Sequence, residues 1–250
     1  MATHFARGIL NDGHMLSVRL SAASHEIARE LPTHRRTRFL ASRALLAELI
    51  FMLYGISELP EIITQKNGRP VFSDKSLPDF SIAYAGNIVG VALTTEGKCG
   101  LGLELQRTIH SFSRPRDNEC DHPFTNNENL WIRNQSDPSE AQAQLLTLRQ
   151  SVLKLTGEVQ LDKPHLLQLL PGSGRLRAAS IHELEVLCDA EDVLVWSLAA
   201  SPVIEKLKMW EFDGKQGWRS LPDVASRANA PAARLMRFTS LPVEKALILN

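Results

Sequence analysis

Apolar residues recur at three- and four-residue steps from Phe39 through Leu46, Leu49 or Ile50 and Leu53, with Gly55 just beyond. This spacing predicts a long helix over Thr33–Tyr54 that buries one stripe. The same period returns at Leu145, Leu148, Val152 and Leu155, and predicts a second long helix from after Asp137-Pro138 to Thr156. Ser139 and Gln142 are expected to form its capping box and Gly157 to end it. Gln150 and Lys154, four apart, share a different face of that helix.

Between and after the helices the pattern shortens to strands. Residues 61–64 and 66–72 flank Asn67-Gly68, a strong hairpin signal. Residues 80–84 and 87–94 read as a second hairpin, with Ala85-Gly86 near its turn. In residues 100–105 the alternation puts Leu101, Leu103 and Leu105 on one face of a strand, and Gly100, Gly102 and Glu104 on the other. Residues 110–137 turn polar, a long crossing or a partly helical segment anchored by Phe124 and Trp131. Residues 181–188 and 193–199 predict another hairpin, as do 208–212 and the stretch around Asp213-Gly214 and Trp218. Residues 226–250 form a tail that docks through Arg234, Arg237 and their apolar neighbours. The order helix, hairpins, strand thus occurs twice, which indicates an α+β protein, and no repeat by identity suggests a solenoid.

Composition narrows the function. The 250 residues carry 28 Lys+Arg against 28 Asp+Glu, so no global field favours a polyanion or an anionic membrane, and charge-based recognition must be local. Cys99, Cys120 and Cys188 are too few and too scattered for a disulfide framework, which fits a reducing cytoplasm. The first ten residues lack a secretory signal pattern. The most apolar stretch, residues 44–53, is broken by Glu48 and falls well short of the roughly 20 residues a bilayer demands. The remaining polar groups form no other constellation. Cys120-Asp121-His122 lacks a partner pair at ligand spacing. His25, His165 and His182 lie in unrelated contexts, Ser151 has no visible base, and Pro171-Gly172-Ser173-Gly174 reads as a turn rather than a phosphate loop.

Arg35, Arg36 and Arg38 stand in the first turn of the first helix, where cations oppose the macrodipole; Arg43 sits inside an apolar run. From Arg35 to Leu46 this helix resembles the "RRxRxLAGRALL" helix of 4′-phosphopantetheinyl transferases of the surfactin-synthetase-activating type and their enterobacterial holo-acyl-carrier-protein synthase branch. Further similarities follow in order. Gly68-Arg69-Pro70 resembles "GKP", and Phe80 to Gly86 stands where "FNLSHSG" is expected. Gly100 to Glu104 resembles "GVDIE", Phe124 to Glu128 resembles "FSxxE", and Leu146 to Gly157 resembles "WTxKEAxxKxxG". The resemblance spans roughly residues 33–200.

It implies a pseudo-twofold pair of similar halves, each a long helix on a small antiparallel sheet, with the active site at their junction. The halves would cover residues 1–98 and 99–205, followed by a C-terminal hairpin and tail over 206–250. The implied reaction moves 4′-phosphopantetheine from coenzyme A to a serine of an apo acyl carrier protein. Arg43, Arg69, Tyr84, Arg149 and Lys154 would bind coenzyme A, Glu104 and Gln150 would form a weakened Mg²⁺ site, and Gln150 and Lys154 would occupy the catalytic positions. Arg69 has a plainer alternative as a hairpin residue without a ligand, and Lys154 as a solvated helix-face charge. The protein is expected to be a cytoplasmic monomer with no nucleic-acid or membrane partner.

The acidic part departs from the pattern. Gly102 takes the place of the aspartate, Gln150 that of the helix glutamate, Ala83-Tyr84-Ala85 that of "SHS", and Leu146 that of the tryptophan. An amide accepts no proton at neutral pH, and losing a general base costs about 10²–10⁴ in rate. Mg²⁺ is often held by one or two carboxylates plus phosphates and water, and Glu119 or Glu128 are candidate replacements. Two classes follow: a divergent transferase, or a family member without catalysis that binds coenzyme A or a carrier protein in a regulatory role.

Overall fold

The computed structural model describes residues 2–10, 17–106, 124–158, 167–230 and 233–241. Cys120, His122, Glu119 and His165 lie outside them. Both long helices appear as the periodicity predicts: α2 over Thr33–Tyr54 and α4 over Pro138–Thr156, each ended by a glycine with positive φ, Gly55 and Gly157. The N-terminal cap of α4 differs from expectation. The side chain of Asp137 caps α4 by accepting from the Glu140 backbone N–H, so the Ser139–Gln142 capping box does not form. A carboxylate immediately before Pro138 already satisfies an orphan amide. The reciprocal box forms instead in α3 (Asn126–Arg133), between Thr125 and Glu128. Helix α1 (Ala22–Glu30) has no counterpart in the expectations. Arg36 holds its C-terminal end, donating to the carbonyls of Ala28, Arg29 and Leu31.

Strands β1 (Thr3–Ile9), β4 (Asp79–Ala85), β5 (Ile88–Thr94), β11 (Leu207–Asp213) and β12 (Gly217–Ser220) form a five-stranded sheet in the order β12-β11-β1-β5-β4. Strands β6 (Lys98–Leu105), β7 (Leu167–Leu170), β8 (Arg175–Ala178), β9 (Glu185–Ala190), β10 (Leu194–Ser201) and β13 (Met236–Thr239) form a second, in the order β6-β10-β9-β13-β8-β7. The Asn67-Gly68 turn joins β2 (Ile62–Thr64) to β3 (Pro70–Phe72) in a separate ribbon. Both sheets are mixed rather than purely antiparallel: β11 returns parallel to β1, and β13 parallel to β8. Both pairs join segments far apart in sequence, as parallel pairing requires.

The class is α+β, in four layers. Leu45, Leu46, Leu49 and Ile50 of α2 pack with Phe80, Val89, Val91 and Leu93 of the first sheet. Leu145, Leu148, Val152 and Leu155 of α4 pack with Val186, Ala199 and Phe238 of the second. Between the sheets lie Phe5, Ala92 and Met209 from one side, and Leu101, Leu103, Trp196 and Leu198 from the other. The leucine face predicted for β6 is thus the inner face. An ion pair of Arg7 with Glu191 at 2.6 Å ties the first sheet to the β9–β10 turn of the second, while one with Glu211 at 3.2 Å stays within the first sheet. No described helix is long and apolar enough to cross a membrane.

Candidate functional site at the seam of the two sheets

β4 and β6 are edge strands of different sheets that lie side by side. An edge leaves backbone N–H groups unpaired, and a buried edge must satisfy them. Side chains do so here. Asp79 accepts from the Cys99 backbone N–H at 2.8 Å, and the Ser81 hydroxyl accepts from that of Leu101 at 3.0 Å. Arg69 completes the seam by donating to Asp79 at 2.5 Å and to the Cys99 carbonyl at 2.9 Å.

Next to the seam opens a cavity of about 490 Å³. The hairpin turn supplies Asn67 to Pro70, β4 supplies Phe80 to Ile82, the last turns of α4 supply Gln150, Leu153 and Lys154, and the residues just past its end supply Gly157 and Glu158. Segments far apart in sequence, from Asn67 to Glu158, therefore share one wall. The Lys154 ammonium donates to the Ile82 carbonyl at 2.8 Å and has no carboxylate within ion-pair distance among the described residues. Burial pulls its pKa down from 10.5 to about 8.

That shift carries a sign. Between about pH 8 and 10.5 the unfolded chain binds the lysine proton more tightly than the folded one, so this group's effect on stability improves as pH rises through that window. Thermal unfolding of the wild type and of Lys154→Met at about pH 8 and pH 10 should show the wild type gaining relative to the variant. A difference that does not change with pH would contradict a desolvated amine at this position.

A second group stands over the β4–β5 turn. Arg43 of α2 lies over the Phe39 ring, 4.7 Å from its centroid, and pairs with no carboxylate among the described residues. Burial lowers its pKa, opposed by the neighbouring Tyr84. The Tyr84 hydroxyl donates to Ser42 at 2.7 Å, and burial raises its pKa against the pull of Ser42, Arg43 and Arg38. Arg38 donates to the Gly86 carbonyl at 3.0 Å.

The expected site residues thus fall into three places. Arg69, Gln150 and Lys154 meet at the cavity, with Arg69 already neutralised by Asp79. Arg43 and Tyr84 are neighbours near the end of β4. Arg149 is elsewhere: it is buried, ion-paired with the fully buried Glu128 and bonded to the Leu167 carbonyl at 3.3 Å. One helical position, about 100° around the helix, separates it from Gln150, and of the two only Gln150 borders the cavity. Glu128 is occupied by this pair and by the Thr125 cap, and is not a spare acid for the junction. Asp79, Ser81 and Ser42 were absent from the expectations. A carboxylate and a hydroxyl alternating along an otherwise apolar strand were the available signal for the first two.

The residues do not fit a divalent cation site of the implied kind. Glu104 is present, and its nearest assigned partner is the neutral Gln150 amide, whose Nε2 donates at 3.5 Å. At Gly102 a Cβ would run into the backbone carbonyl of Thr147, and at Gly100 into that of Ser151, so the backbone of α4 rests directly on β6. Helix backbone fills the direction in which a second carboxylate would project. Among the described residues no three His, Cys, Asp or Glu side chains gather to hold a metal.

No protein-family model matches the chain. The chain is 63% identical over 250 residues, the full length of both proteins, to uncharacterized protein YieE of Escherichia coli strain K12. A shorter stretch is similar to 4′-phosphopantetheinyl transferase AcpT. Identity is 29% over 107 residues with that of Escherichia coli O157:H7, which is 39% of this chain and 52% of AcpT. It is 32% over 84 residues with that of Salmonella typhi, which is 34% and 37%. Identity of this degree over every residue of both proteins places the chain in the same family as YieE.

Proposed function

We propose that this protein is a divergent phosphopantetheinyl transferase that binds coenzyme A at the seam between two similar halves and acts on an acyl carrier protein. The observation that carries this reading is the cavity of about 490 Å³ formed jointly by the "GKP"-like turn, β4 and the Lys154 face of α4. The partial similarity to AcpT supports the same reaction class. Arg43, free of a carboxylate partner among the described residues, is suited to an anionic group of the nucleotide, and Lys154 to another. Gln150 accepts no proton but orients the Glu104 carboxylate beside it, which leaves Glu104 as the acid positioned to take a serine proton.

The contact between Thr147 and Gly102 favours a second reading, in which the cleft binds coenzyme A or the carrier without transferring the group. The deciding experiment incubates apo acyl carrier protein with coenzyme A and the full chain, and weighs the carrier by mass spectrometry. A gain of one phosphopantetheine group is expected, faster with Gln150→Glu and abolished by Glu104→Ala. No gain with any carrier, alongside measurable coenzyme A binding, selects the second reading.

A further inference from the structure

Gln150 and Lys154 border the cavity, whereas Glu104, which Gln150 touches, does not. Glu158 and Lys154 are the ionisable groups of the cavity wall besides Arg69, which Asp79 neutralises. Glu104 is not part of that wall and accepts from the Gln150 amide at 3.5 Å. Glu158 follows the end of α4 and approaches the Thr156 hydroxyl at 3.4 Å. An ammonium carries three N–H donors and no acceptor, and Lys154 commits one of them to the Ile82 carbonyl. Its burial raises the worth of any anion it meets, because the charge is poorly screened.

A divalent ion would need oxygen ligands in number. Gly102 supplies none, and the Thr147 carbonyl that crowds it belongs to the backbone of α4. The geometry points to a cavity in which Lys154, in place of a divalent cation, neutralises the anionic group seated there, so that binding needs no divalent cation. This inference rests on the proposed function for the identity of the ligand, coenzyme A, but not for its charge.

Isothermal titration of the full chain with coenzyme A and, separately, with inorganic pyrophosphate tests it, each in EDTA and in millimolar Mg²⁺. Affinity for coenzyme A should change by less than about threefold between the two buffers. In EDTA, Lys154→Met should weaken it at least tenfold, while Lys154→Arg, which keeps the charge, should retain most of it. Circular dichroism of each variant checks the fold, and the two-buffer comparison needs no variant. A tenfold or greater dependence on Mg²⁺ would overturn the inference, as would a Lys154→Met protein that is folded and binds normally. Binding of pyrophosphate in EDTA without binding of coenzyme A would uphold the inference and remove the proposed function. Binding of neither probe would remove both.

Discussion

Replacing Arg149 with methionine lowers the free energy of unfolding by about 3–5 kcal/mol, the usual consequence of leaving one partner of a buried ion pair alone. Glu128 has no exposed surface, and it serves two partners at once: Oε1 meets Arg149 while Oε2 accepts the Thr125 backbone N–H at 2.8 Å. Losing the guanidinium therefore strands a carboxylate beneath α3 and frees the Leu167 carbonyl of β7. For a chain of this size the thermal midpoint should fall by about 6–20 °C. Glu128→Ala should cost a similar amount, because it leaves the buried guanidinium unpaired. The double variant Glu128→Leu with Arg149→Met should recover much of the loss, since apolar groups of similar volume need no partner. Chemical denaturation of the three variants reads this directly. Losses below about 1 kcal/mol in both single variants would mean that the pair does not hold α3 to α4.

The second large effect concerns Gly102. Introducing the aspartate that the resemblance places there is expected to damage the protein rather than restore a metal ligand. A Cβ at this position meets the Thr147 carbonyl inside van der Waals contact, and backbone on an α-helix cannot step aside as a flexible side chain does. Overpacking of this kind costs about 1–3 kcal/mol, occasionally more, and the buried carboxylate adds a desolvation cost. Gly102→Ala separates the two contributions: it should lose about the first amount alone, measured by the shift in denaturation midpoint. The aspartate variant should lose more and should show no heat of Mg²⁺ binding. A Gly102→Asp protein as stable as the wild type and able to bind Mg²⁺ would refute the close seating of α4 on β6. Gln150→Glu meets no such backbone obstacle, because the Gln150 side chain borders the cavity.

The two glycines illustrate how far a single chain can be read. Alternation along β6 assigned Leu101, Leu103 and Leu105 to one face correctly, and all three join the layer between the sheets. On the other face it placed Gly100, Gly102 and Glu104, and the resemblance marked Gly102 as a place where an acid was missing. The positive role of the two glycines, admitting helix backbone, became visible only with α4 in place. Arg69 and Arg149 follow the same course. Both are cations at positions where a ligand was expected, and both are taken by carboxylates, Asp79 and Glu128, that no periodicity links to them. Lys154 is the contrary case, an apparently ordinary helix-face charge that the fold buries beside β4 without a counter-ion among the described residues.

By itself the sequence determined what depends on neighbours within a turn or two. The bounds of α2, the glycine ends of both long helices, the Asn67-Gly68 hairpin and the inner face of β6 all follow from local spacing, because capping, positive φ and side-chain period act over a few residues. Only the tertiary structure decided the return of β11 and β13 into separate sheets, the carboxylate partners of the arginines, the closure over Gly102 and the exposure of Lys154 to a shared cavity. These depend on which distant surfaces come together when apolar faces are buried, and that burial is non-directional: it favours contact without naming the partner.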